Sequence, residues 1–164
     1  MTWTAPQIAR ADPPPSGDER TLLDAWLDYH RQTLLLKCAG LTAAELTLRS
    51  VEPSGISLLG LLRHLAEVES SWFRRRFAGE EFPFLFSSEQ NPDGEFADVD
   101  EADAEQDYAV YLREVELARA AAAGHSLTET FFHPLRQVEM SLRWVYLHMI
   151  EEYARHNGHA DMIR

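Results

Sequence analysis

Apolar residues recur every three or four positions along four stretches of the chain, which is the spacing of a helix that buries one face. The pattern predicts four long helices, over about residues 18–38, 57–77, 103–123 and 141–163. Four such faces bury one another best when the helices pack side by side. The predicted fold class is therefore all-α, a four-helix bundle with long crossover connections.

The segments outside these helices carry no helical period. Residues 1–17 are rich in proline and are predicted to form an irregular arm on a single domain that spans residues 1–164. Residues 79–102 form an acidic link with four phenylalanines, which indicates that the link packs on the helices. The tract from Asp93 to Asp107 is interpreted as a solvated acidic loop and helix start. Residues 125–140 are predicted to be irregular, because no stretch alternates long enough to indicate a strand.

Two sites match the spacing of a capping box, in which a serine or threonine and a glutamate satisfy the free N–H groups at a helix start. Ser16 and Glu19 predict the start of the first helix. Thr42 and Glu45 predict a short helix in the connection that follows it.

Length and charge narrow the class of protein. A chain of 164 residues fits one domain. Its formal net charge of −12 argues against binding to nucleic acid or to an anionic membrane, since both would repel it. The run Arg74, Arg75 and Arg76 is too short for a nucleic-acid patch. No secretory signal and no apolar run of membrane-spanning length occurs, so a cytoplasmic protein is expected.

The fourth predicted helix carries the strongest candidates for functional residues. Glu152 and His156 are four positions apart, so both side chains project from one side of the helix, within its apolar face. His64 lies on the apolar face of the second helix. A carboxylate and imidazoles that point into an apolar interior need partners, because burial of either group alone costs free energy.

Two arrangements would satisfy these three side chains. In one, His64, Glu152 and His156 form a buried hydrogen-bonded ion-pair network. In the other, they bind one divalent metal ion, of which Zn²⁺, Ni²⁺ and Fe²⁺ suit this ligand set. Three protein ligands would leave a coordination position for water or a substrate atom.

Two segments resemble a known superfamily. Residues 57–65, followed by Glu69, Trp72 and Phe73, resemble the second helix of DinB/YfiT-like proteins. Residues 148–161 resemble their last helix, whose usual form ends H-x-x-x-H-R-G-Q. The ending at residues 155–159 is similar to that of an uncharacterised, mainly actinobacterial branch, related to proteins like the mycothiol-dependent maleylpyruvate isomerase.

The resemblance implies a metal site and a class of reaction. It places the metal ligands at His64, Glu152 and His156, with Glu152 where most members have histidine and where the isomerase also has glutamate. In characterised relatives the metal activates a low-molecular-weight thiol such as mycothiol or bacillithiol. The resemblance thus implies a metal-dependent thiol S-transferase or hydrolase, a small-molecule thiol or electrophile as substrate, and a homodimer.

Further residues are candidates for catalysis or for structure. His148, His159 and Arg155 are candidate catalytic residues. Arg143 and Arg155 could hold a substrate carboxylate by paired N–H groups, but surface ion pairs are the commoner role of such arginines. Cys38 and His30 are interpreted as core residues. An enzyme would have an open cavity at the metal, lined by Trp3, Trp72 or the 79–102 link. A non-catalytic metal-binding or stress-response protein and a structural dimer with a closed His-Glu-His network are the alternatives.

Overall fold

Four long helical segments make up about half of the chain in the computed structural model, which describes residues 2–164. In chain order the helices are α1 (Glu19–Cys38), α2 (Ala43–Leu46), α3 (Leu58–Glu69), α4 (Gly94–Ala97), α5 (Ala104–Ala122) and α6 (Leu142–Ile163), and a π-helical segment (Ser70–Phe77) continues α3. The predicted helical class is confirmed. None of the helices in residues 2–164 is long and apolar enough to cross a membrane.

The helix starts show one confirmed and one wrong capping prediction. At α2, the Thr42 hydroxyl accepts from the backbone N–H of Glu45, and the Glu45 carboxylate accepts from the backbone N–H of Thr42, as predicted. At α1 the cap is Asp18, whose carboxylate accepts from the N–H of Thr21. The prediction of Ser16 is wrong, because Asp18 stands directly before the first helical residue and reaches the free N–H itself.

The core lies where the apolar faces of the long helices meet. α1 packs against α6, and α3 packs against both α5 and α6. The apolar residues that recur at helical spacing on α6 and predict its inward face are all fully buried: Leu142, Val145, Met149, Tyr153 and Ala160. Helical periodicity therefore identified the inward face of this helix correctly.

A short hairpin corrects the prediction that residues 125–140 are irregular. Strands β1 (Thr130–His133) and β2 (Val138–Ser141) pair antiparallel, with Phe131 opposite Met140. β1 also contacts the π-helical segment. Strands of four residues are too short to show a reliable alternation in sequence. The hydrogen-bonded pairing of the two segments, which the sequence does not reveal, identifies them as strands.

The 79–102 link packs on the helices, as its phenylalanines predicted. Leu85, Phe86 and Phe96 are partly buried against the core. The carboxylate of Glu67 on α3 accepts the backbone N–H groups of Leu85, Phe86 and Ser87 at 3.0–3.2 Å. This carboxylate fixes the path of the link across α3.

The N-terminal arm also lies against the helices. Ala5 is buried, and its N–H donates to the carbonyl of Leu41 at 2.8 Å. The indole of Trp3 packs edge-on against the ring of Tyr108 on α5.

Candidate metal centre

Three side chains that the sequence singled out meet between α3 and α6. His64, Glu152 and His156 each offer one ligand atom, and these atoms all lie within 4.8 Å of one another. His64 Nε2 is 4.0 Å from Glu152 Oε1, and the rings of His64 and His156 are 4.7 Å apart between centroids. Bonds from Zn²⁺ to such ligands measure about 2.0–2.2 Å. A small side-chain movement would therefore let all three residues reach one ion.

Helix geometry places these groups. Glu152 and His156 are one turn apart on α6, on the side that also carries the buried Met149 and Tyr153. His64 lies on α3, three residues after the buried Leu61. All three side chains are partly buried, so they are reachable from solvent but not fully hydrated.

One nitrogen in the cluster lacks a partner. His64 Nε2 is buried, and no residue in 2–164 forms a hydrogen bond with it. The other ring nitrogen, Nδ1, lies 3.4 Å from Glu95 Oε1. An ionised carboxylate only accepts, so Nδ1 carries the proton and the lone pair of Nε2 faces Glu152 and His156. A buried acceptor without a partner costs free energy, and a bound cation would satisfy it.

The second histidine is also prepared to act as a ligand. His156 Nδ1 lies 3.3 Å from His159 Nδ1. The other ring nitrogen of His156, Nε2, is therefore the one left to bind a metal ion. Burial, together with the neighbouring His64 and His159, lowers the pKa of His156 to about 4. The imidazole is therefore neutral at pH 7, which is the form that binds metal. Metal-binding histidines usually hydrogen-bond their outer nitrogen, as both rings do here. The donor set fits a divalent transition metal.

Glu95 is a site residue that the sequence did not reveal. The interpretation of the tract from Asp93 to Asp107 as a solvated acidic loop and helix start is wrong at Glu95. This side chain is only 12% exposed because α4 packs on α3. The next residue, Phe96, packs against the His64 ring, with 5.2 Å between the ring centroids. The one available signal was a phenylalanine inside an otherwise acidic tract.

The catalytic candidates lie in different surroundings. His159 contacts His156, as described. His148 packs between the indoles of Trp72 and Trp144, at 4.6 and 4.9 Å between centroids, and burial lowers its pKa. Arg155 is exposed and lies 3.2 Å from Glu151. A catalytic role for His148, His159 or Arg155 stays a prediction.

Arg143 forms the expected surface ion pair. Its guanidinium donates to the Glu19 carboxylate at 2.6 Å, and both side chains are largely exposed. Arg143 therefore uses its paired N–H groups on Glu19, whereas Arg155 uses only its Nε–H on Glu151.

A cavity of about 180 Å³ opens beside His64. Its walls include Trp72 and three residues of the 79–102 link: Phe84, Ser87 and Glu95. These are two of the three features expected to line a cavity at the metal. Trp3 does not contribute to its lining.

Cys38 and His30 lie outside this centre. Cys38 is fully buried, and burial raises the pKa of its thiol to about 12, which makes it a core residue and a poor nucleophile. His30 packs against Trp26 and Tyr29, and its ring lies 3.5 Å from the side-chain amide of Asn157.

Comparison with known proteins assigns the family. A family model described as mycothiol-S-transferase (MST) matches residues 22–164, which include all six helices except the first turn of α1. No curated protein and no solved structure gave a match to the chain. The family match covers most of the chain and includes His64, Glu152 and His156. The chain therefore belongs to the mycothiol-S-transferase family, within the DinB/YfiT-like superfamily.

Proposed function

We propose that the protein is a mycothiol S-transferase that holds one divalent metal ion through His64, Glu152 and His156. The observation that carries the proposal is the buried Nε2 of His64, which has no partner within residues 2–164 and faces the other two side chains beside a cavity. We further propose that the four long helical segments form one DinB-like four-helix bundle, residues 1–164.

The residues would divide the work between binding and activation. A divalent ion held by these three residues would lower the pKa of a thiol bound beside it, so that thiolate forms near neutral pH. The Glu152 carboxylate offsets part of the positive charge at the centre. Glu95 and His159 would hold the two imidazoles in the required tautomers. Trp72 and Phe84 give the cavity part of its apolar wall.

The transfer itself joins the thiol to an electrophile. The thiolate sulfur donates an electron pair to an electrophilic carbon and forms a C–S bond. A leaving group then departs with its bonding pair, or a polarised double bond accepts the pair and takes up a proton. The cavity beside His64 supports this reading over a closed structural network, which would leave no room for a substrate.

Metal content of the purified, untagged protein is the first test. We expect about one Zn²⁺, Ni²⁺ or Fe²⁺ per chain in the wild type and its loss in His64→Ala and in His156→Ala. His125→Ala is the matched control, because this exposed histidine pairs with Glu129 away from the centre. No metal in the wild type after incubation with each ion would establish the structural network instead.

Activity is tested separately on the metal-loaded protein. We expect mycothiol-dependent conjugation of monochlorobimane by the wild type and by His125→Ala, and none by His64→Ala. Bacillithiol in place of mycothiol tests the choice of thiol. Stoichiometric metal without turnover with either thiol would make the protein a non-catalytic metal-binding member of its family.

A further inference from the structure

The π-helical segment ends in three consecutive arginines, and they differ in their partners. Arg74 pairs with Glu80 and Glu114, and Arg75 lies 3.7 Å from Glu67. No carboxylate oxygen in residues 2–164 lies within 4.0 Å of a side-chain nitrogen of Arg76, a criterion that nine other arginines of the chain meet. Arg10, Arg113, Arg136 and Arg164 also have no acidic partner within this distance, but all four are exposed, whereas Arg76 is partly buried.

Arg76 is nevertheless held in place. Its guanidinium carbon lies 4.6 Å from the ring centroid of Trp72. Its Nε–H donates to Nε2 of His133 on β1 at 3.1 Å. Burial, with the nearby Arg76 and Arg136, lowers the pKa of His133, so its ring is neutral and able to accept. The terminal N–H groups of Arg76 are thereby left for another acceptor.

The surroundings of Arg76 favour an anion. Burial lowers the pKa of Arg76, and the neighbouring Arg75 and Arg136 lower it further. All three effects disfavour the charged guanidinium, and a bound carboxylate would offset them. Arginine presents two parallel N–H groups that match the two oxygens of a carboxylate.

Two cavities meet at this side chain. The cavity of about 180 Å³ is lined by both His64 and Arg76. A second cavity, of about 450 Å³, lies under the hairpin and shares Ser71, Arg76 and Phe84 with the first. Its other walls include Phe132 and Leu135, which are exposed apolar residues. A few polar groups within an apolar pocket of about 300–1,000 Å³ are typical of a small-molecule site.

We propose that Arg76 binds the carboxylate of a small organic acid whose apolar part lies on Phe84, Phe132 and Leu135. The acid would be the electrophilic co-substrate, a role that rests on the proposed mycothiol transfer. Binding of the acid does not rest on it, because none of the residues that contact the acid is a proposed metal ligand.

Calorimetric titration of the metal-free protein tests the binding. Hexanoate is the probe, and hexanamide is its uncharged counterpart of equal length. We expect hexanoate to bind the wild type at least about tenfold more tightly than hexanamide, because a charge-assisted pair is lost with the amide. This comparison needs no variant, so it does not depend on the folding of one.

Variants then assign the binding to Arg76. Arg76→Gln should weaken hexanoate binding about tenfold or more, and Arg76→Lys should weaken it less, since a lysine keeps the charge but not the paired N–H groups. Arg113→Gln removes the same charge from an exposed position on α5 and should leave binding unchanged. Circular dichroism of each variant checks that the helices are intact.

Three results would overturn the proposal: no hexanoate binding to the wild type, equal affinity for hexanoate and hexanamide, or equal weakening by Arg76→Gln and Arg113→Gln. Failure of the metal proposal has a different signature. It would appear as absent metal in a protein that still binds hexanoate.

Discussion

At the scale of single residues, the imidazole of His64 owes its orientation to Glu95. The carboxylate fixes the proton on Nδ1, and Phe96 covers the face of the ring. A free imidazole could turn either nitrogen inward. With Glu95 present, only the Nε2 lone pair is directed toward Glu152 and His156, which is the arrangement a metal ligand requires.

Substitution of Glu95 should therefore weaken metal binding, although Glu95 is not itself a proposed metal ligand. We expect Glu95→Ala to lower Zn²⁺ affinity about 10- to 100-fold, as loss of such outer partners typically does. Glu95→Gln should retain more affinity, because its amide oxygen can still accept from Nδ1–H. Competition with a chromophoric chelator measures both values.

Glu89→Ala is the control for Glu95→Ala, since Glu89 is an exposed acid in the same link. Equal affinity in Glu95→Ala and Glu89→Ala would show that Glu95 contributes only negative charge or nothing. The proposed orientation of His64 would then be wrong.

His156 makes the stability of the metal-free protein depend on pH. In the folded protein the pKa of His156 is about 4, below its ordinary value of 6.5. The unfolded chain takes up a proton at this residue as pH falls through 6.5, whereas the folded chain does not until about pH 4. The free energy of unfolding should thus decrease between pH 6.5 and about pH 4.

Urea denaturation in the presence of a chelator measures this decrease. We expect a smaller decrease over the same pH range for His156→Gln, which has no group to protonate at this position. His125→Gln, at an exposed position, is the control and should resemble the wild type. Identical curves for all three proteins would contradict the lowered pKa.

At the scale of elements, the short helix α4 contributes to the centre because it packs unusually close to its own link. A Cβ atom at Gly94 would lie 2.4 Å from the carbonyl oxygen of Phe86. The link in turn is held to α3 by Glu67. The position of Glu95 therefore depends on a glycine beside it.

Two glycine substitutions should have opposite effects. Gly94→Ala should lower the free energy of unfolding by about 1–3 kcal/mol, since the added methyl group must displace backbone, and should also weaken Zn²⁺ binding through Glu95. A Cβ atom at Gly158, on an exposed part of α6, would have no other atom within 4 Å. Gly158→Ala should therefore raise the free energy of unfolding by about 0.5–1 kcal/mol. Chemical denaturation and metal competition measure both. Normal stability and affinity in Gly94→Ala would contradict the close packing of α4.

At the scale of the whole molecule, one buried polar network connects all four long helical segments. Arg31 on α1 makes two hydrogen bonds of 2.7 Å to Glu69 on α3. The hydroxyl of Tyr153 on α6 donates to Glu69 at 2.8 Å and lies 3.0 Å from the hydroxyl of Tyr111 on α5. Burial disfavours the charge of Arg31, and the adjacent Glu69 outweighs it, so the pKa of Arg31 lies well above its ordinary value.

Loss of one partner should destabilise the fold strongly. We expect Glu69→Gln to lower the free energy of unfolding by about 3–5 kcal/mol, because the buried Arg31 would keep only the partly exposed Asp28 as a countercharge, at 2.9 Å. Replacement of both residues, as Arg31→Met with Glu69→Leu, should restore much of this loss. Guanidinium denaturation measures each variant.

The exposed pair of Glu19 and Arg143 provides the control for this network. Glu19→Gln should cost less than about 1 kcal/mol, as expected for a solvated ion pair. A similar small cost for Glu69→Gln would mean that the buried pair does not stabilise the fold.

Local sequence was sufficient for the helices and for two of the proposed metal ligands. The bounds of the long helices follow from spacing along the chain, since a helix places residues four apart on one side whatever surrounds it. Their inward faces follow in large part, although Trp26 on α1 and Leu112 on α5, which have the same helical spacing, are 44% and 41% exposed. Glu152 and His156 are therefore recognisable as a pair from their spacing alone. His64 could be added because it lies on the inward face of another helix.

Tertiary structure decided which other residues serve the centre. Glu95 lies in an acidic tract and Arg76 in a run of arginines. Nothing in the spacing of the chain distinguishes Glu95 from Asp93, or Arg76 from Arg75. The sequence offers Arg155 and Arg143, and not Arg76, as possible carboxylate ligands or surface ion-pair residues, and both have acidic partners. These outcomes depend on contacts between distant segments, such as Glu67 with the 79–102 link and Arg76 with the hairpin. Helical register is a local property of the chain, whereas the partner of a charged side chain is set by whichever segment packs against it.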